Sequence, residues 1–175
     1  MREFSNVFYN ELELRLKPFV IDKEIIQDMV TSYHEAGHVK YCLDFDIYFV
    51  YVTIIQENNS LGRVQGTDTS GEQIETDFSY SDNQNKEVFI MTFAGLVCEA
   101  KYSGEINLEG AYRDLADNLR ELYIIDEKLA LDSIDYIIQD IKNEKNWDKI
   151  KAIAEYLYKK KTATRSELLK LISDL

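Results

Sequence analysis

Residues 34–38 read His-Glu-Ala-Gly-His, and these are the only two histidines in the 175-residue chain. Side chains four positions apart share one face of an α-helix, so on a helix both imidazoles can reach a single ion. Glu35 then projects beside the ion rather than onto it, where it can take a proton from water that the ion has acidified. Two neutral nitrogen ligands and one carboxylate base in one helical register are what zinc-assisted hydrolysis needs, and Zn2+ is the expected cofactor. Chance would produce this spacing, with Glu directly after the first His, in about one sequence in a thousand of such composition. Gly37 costs a helix about 1 kcal/mol relative to Ala, so packing or metal geometry must require it.

The helix carrying the motif is expected from Asp22, as its N-cap, to about Leu43, with Ile25, Ile26, Met29, Tyr33, Ala36 and Gly37 at helical spacing. Strand formers run from Ile47 to Ile55. Asn58-Asn59-Ser60 makes a turn, and Leu61 to Gln65 forms a second, paired strand. Residues 66–84 are polar and rich in Gly, Ser and Thr, which predicts a surface loop. A helix follows from about Asn85 to Tyr102, stopped by Ser103-Gly104, and another from Glu109 or Gly110 to about Ala130. The remainder reads as helical with a break around Asn143 to Asn146, and Thr164 with Glu167 forms a capping box opening the last helix. The first twenty residues read as an irregular or briefly ordered lead-in. The expected fold is mainly α (α+β), with a small two- to three-stranded sheet after the motif helix. One domain over residues 1–175 is expected, comprising a lead-in (1–21), a zinc-site core (22–130) and C-terminal helices (131–175).

Hydrophobic residues make up 45% of the chain, enough for a buried core. A net charge of -12 speaks against nucleic acid or an anionic membrane as partner, because phosphate contacts need clustered Lys and Arg. The one dense basic run, Lys159-Lys160-Lys161, reads as the cationic end of a helix. Cys42 and Cys98 are too few and too far apart for a thiolate site and read as reduced structural thiols. No run approaches the roughly 18 apolar residues that cross a bilayer, and no signal peptide is evident, so a cytoplasmic protein without membrane insertion is expected.

A catalytic zinc needs a third protein ligand and a position open to water. Asp44, six residues after His38, would require a sharp turn midway, where this chain has Tyr41 rather than Gly. Glu99, on the helix ending near Tyr102, and Asp114, near the start of the next, are the other carboxylates. Spacing does not rank these two.

Tyr33-His34-Glu35-Ala36-Gly37-His38 resembles the Tyr-His-Glu-Ala-Gly-His of the peptidase domain of FtsH-type ATP-dependent zinc proteases. Val52-Thr53-Ile54-Ile55 with Leu61-Gly62 is similar to that family's strand and Leu-Gly turn. Phe93-Ala94-Gly95 with Glu99 resembles its Leu-Ala-Gly-Arg-Ala-Ala-Glu helix, and Gly104-Glu105-Ile106 with Gly110-Ala111-Tyr112-Arg113-Asp114-Leu115 its ligand segment. The tail from Ile150 to Ile172 looks like its closing helices. The pieces keep their order over residues 30–174. The resemblance implies His34, His38 and Asp114 as zinc ligands, Glu35 as catalytic base and Gly110 as the turn presenting Asp114. It also implies an extended peptide docking along Val52, Thr53, Ile54 and Ile55 by backbone hydrogen bonds. Departures are Arg113 for the usual Asn, Leu96 for the usual Arg, Lys40 after the motif, and one extra residue before Gly110.

The function expected is that of a zinc metalloendopeptidase acting on unfolded or flexible polypeptides without its own ATPase or membrane anchor. A zinc-binding interaction or regulatory domain with little peptidase activity is the alternative. A homo-oligomer, or a separate ATPase partner feeding the site, also fits the resemblance.

Overall fold

The computed structural model describes residues 4–19, 26–56, 62–65, 82–108 and 126–173. Among them the chain is mainly helical, with one small antiparallel sheet, as expected from the sequence.

The N-terminal stretch is helical where an irregular lead-in is expected. Ser5 caps helix α1 (Asn6–Leu16) by accepting a hydrogen bond from the Phe8 amide at 3.2 Å. Phe8, Leu12 and Leu16, four residues apart, form one buried stripe. Val7 and Leu14 lie exposed on other faces of α1 and blur that stripe in the sequence. A 3-10 turn (Lys17–Phe19) closes the element.

Helix α2 (Gln27–Asp44) carries the motif and is buried on nearly every side from Val30 to Cys42. It starts after Ile26, which is extended; Asp22, the expected cap, lies outside the described residues. Helix α3 (Asp82–Ser103) packs along α2 and ends where expected, with Gly104 at φ 76° making the left-handed turn. A Cβ on Gly37 would lie 2.5 Å from the Ala94 carbonyl oxygen, so the two helices pass at a separation only glycine permits. Packing thus accounts for a glycine inside the motif.

The helix expected to end near Ala130 does not. Asp126 accepts a hydrogen bond from the Leu129 amide and opens helix α4 (Glu127–Asp140), with Ala130 buried near its start. Residues 109–125 lie outside the described residues, as do the Asn58-Asn59-Ser60 turn and residues 66–81 of the expected loop. Asn143 caps helix α5 (Glu144–Lys160), whose last turn holds Lys159 and Lys160, placing the basic run at a helix C-terminus. Helix α6 (Arg165–Ser173) begins at the capping box. The Thr164 amide donates to Glu167 Oε2 at 2.8 Å, and the Glu167 amide returns to Thr164 Oγ1 at 3.4 Å.

The sheet has the order β2-β1-β3, antiparallel throughout: β1 (Tyr51–Thr53), β2 (Arg63–Gln65) and β3 (Thr162–Thr164). Val52 stands opposite Val64 on one side and Ala163 on the other. Only three of the nine residues from Ile47 to Ile55 pair as strand, and Asp46, at φ 55°, turns the chain into them. Among the described residues no helix is long and apolar enough to cross a membrane.

Candidate metal centre

The unbroken helix α2 sets His34 and His38 one turn apart, with their ring planes at 73° and their Nε2 atoms 3.1 Å from each other. The motif is held in rotation by its flank. Tyr33 stacks on Tyr102 of α3 at 4.1 Å and on Trp147 of α5 at 5.4 Å, and burial pushes its hydroxyl up to about 12.

Helix α3 supplies an acceptor to the far side of each ring. Glu99 Oε2 lies 2.7 Å from His34 Nδ1, and the Met91 backbone oxygen lies 2.7 Å from His38 Nδ1. A carbonyl or carboxylate oxygen accepts, so each Nδ1 carries a proton and each Nε2 presents a lone pair. Two lone pairs facing each other at 3.1 Å repel unless a proton or a metal ion lies between them. Tetrahedral zinc, with bonds of about 2.0–2.1 Å, separates two nitrogen ligands by about 3.3 Å. The pair is therefore preorganised for such an ion.

The carboxylates sort by position. Glu99, one of the candidates for third ligand, instead faces the far nitrogen of His34, where it fixes the ring's orientation and could orient it towards a metal. Replacing Glu99 with Gln should lower zinc affinity by about 10- to 100-fold. Competition against a chromophoric chelator measures this, and an unchanged dissociation constant would refute the orienting role. Asp44 pairs with Lys40 at 2.8 Å, and six residues along an unbroken helix carry it off the histidine face. Gly110, Arg113 and Asp114 lie outside the described residues, and among those described no three His, Cys, Asp or Glu side chains gather to hold a metal. Cys42 and Cys98 are free and buried; burial pushes both thiols up to about 12, which keeps them protonated and unsuited to bind a cation.

Glu35 is buried at 4% exposure. Backbone from the head of β2 passes over it: a Cβ on Gly62 would lie 2.6 Å from Glu35 Oε1. The expected docking edge is in the wrong place for Val52 and Thr53, because β1 is the central strand with both sides paired. The Ile54 amide donates to the Lys161 carbonyl and the Ile55 amide to Thr53 Oγ1, so these donors are engaged too. Strand β2 begins beside Gly62 and so beside Glu35.

Sequence reasoning missed the Met91 carbonyl, which no side-chain pattern announces. It also missed the environment of Lys40, which is buried against Asp140 and lies over the Tyr41 ring. No protein-family model matches this chain, and no curated protein does either.

Proposed function

We propose that the chain is a zinc-dependent metallopeptidase of the kind its motifs resemble, hydrolysing peptide bonds in polypeptide that is already unfolded or flexible. One observation carries the reading: two Nε2 lone pairs 3.1 Å apart, with both Nδ1 atoms committed elsewhere and a carboxylate next in sequence. His34 and His38 would hold the ion, and Asp114, by the family resemblance, would complete the protein ligands. When bound, zinc supplies Lewis acidity, which polarises a carbonyl and lowers the pKa of water.

Glu35 takes the proton of the attacking water and delivers it to the amine that leaves when the C–N bond breaks. The two protonated buried thiols suit a reducing compartment, and the cytoplasm is the proposed location.

A second reading, a zinc-holding domain without peptidase activity, draws on the burial of Glu35 beneath the Gly62 backbone. Metal removal tests what the two readings share. Chelation should abolish cleavage of unfolded casein and lower the melting temperature, and zinc should restore both. A ligand at a thousand times its dissociation constant stabilises by about 4 kcal/mol, on the order of 8–16 °C for a chain of this length. Cleavage that persists in the fully stripped protein would exclude the metallopeptidase, and a melting curve indifferent to zinc would exclude both readings.

A further inference from the structure

The helix that backs both imidazoles also passes in front of them. A Cβ on Gly95 of α3 would lie 2.4 Å from His38 Nε2, 2.7 Å from His34 Nε2 and 2.8 Å from His38 Cε1. The atoms met are imidazole atoms, including both donor nitrogens. Gly37 differs, because its Cβ would meet the Ala94 backbone, O at 2.5 Å and C at 2.8 Å.

We propose that Gly95 is a positioning residue of the metal centre, keeping the α3 backbone clear of the two Nε2 lone pairs so that one ion can engage both. The inference rests on the metal-centre reading above and adds a residue to it. Each ring is tied at its Nδ1, by Glu99 and by the Met91 carbonyl, so neither can retreat without losing a buried hydrogen bond. A methyl group at 95 therefore occupies the coordination space or drives the Nε2 atoms apart. Both results end two-point binding.

Helix formation by itself does not call for glycine there. Position 95 lies within a 22-residue helix with Ala94 and Leu96 buried on either side, and alanine is the better helix former. At position 95 the groups that must give way are two ring ends, each at the cost of its Nδ1 hydrogen bond, whereas at Gly37 the obstacle is the Ala94 backbone, which moves only if the two helices part.

The test titrates Zn2+ and Co2+ into metal-free wild-type, Gly95→Ala and Gly37→Ala proteins, and melts each with and without metal. Wild type should bind one ion per chain, show the visible absorption of four-coordinate Co2+, and melt higher when loaded. Gly95→Ala should melt without metal below wild type but above Gly37→Ala, bind zinc at least 100-fold more weakly, and lack the cobalt bands. Gly37→Ala should melt lower than wild type without metal. Wild-type zinc affinity and an unaltered cobalt spectrum in Gly95→Ala would overturn the proposal. So would a metal-free Gly95→Ala that melts as low as Gly37→Ala, since the glycine would then serve packing alone. A wild type that takes up no metal would overturn the centre itself, and the role of Gly95 with it.

Discussion

Glu35→Gln protein should keep its full complement of zinc and lose peptide hydrolysis by about 100- to 10,000-fold, the range set by removing a general base. The amide has the carboxylate's shape, so the close approach of Gly62 to position 35 is retained and no cavity opens. The histidines keep their Nδ1 partners on α3, and position 35 contributes no ligand, so metal content is untouched. What changes is the capacity to accept a proton from water and return it to the leaving nitrogen. Initial rates on unfolded casein, with zinc measured on the same samples, make the comparison. Equal residual rates in the two proteins would end the peptidase reading and leave the zinc-holding domain as the account of the site. Zinc lost along with activity would instead make Glu35 a ligand, contrary to its assignment here as the base.

Asp140→Asn should destabilise the fold by about 3 kcal/mol, or about 6–12 °C in melting temperature for a chain of this length. Lys40 is 2% exposed, and its ammonium pairs with Asp140 and, at 2.8 Å, with Asp44. Asp140 also accepts hydrogen bonds from the Tyr41 hydroxyl at 3.0 Å and from Asn146 Nδ2 at 2.8 Å, tying α2 to the end of α4 and the start of α5. Asparagine keeps an acceptor for Tyr41 but removes the charge opposite a buried cation, which then has only the half-exposed Asp44. Breaking a buried pair costs far more than replacing the whole pair with apolar groups. Adding Lys40→Met should therefore recover most of the loss. A double variant no more stable than Asp140→Asn would show that the unpaired charge is not the cause.

Much of this arrangement is legible in the sequence because it is local. Met29, Tyr33, Ala36 and Gly37 at helical spacing mark α2, Thr164 and Glu167 mark the start of α6, and Ser103-Gly104 ends α3. Each depends on residues within a few positions of one another. What was not legible is non-local or ambiguous in kind. The segment Thr162–Thr164 forms a strand only because β1 stands beside it, and its local text reports just the cap. In the sequence Glu99 fits either role at the proposed metal centre, ligand or ligand-orienting, and the 2.7 Å contact with His34 Nδ1 favours the second. In α1 the exposed Val7 and Leu14 hide the stripe of Phe8, Leu12 and Leu16.

The pairing of β1 with β3 has a consequence for how the molecule comes into being. A ribosome releases Val52 long before Ala163, its neighbour across the sheet, has been made. Until then the strand beside the histidine helix has one flank bare. Even with the helices of the motif already wound, the domain remains unfinished until translation has passed Thr164.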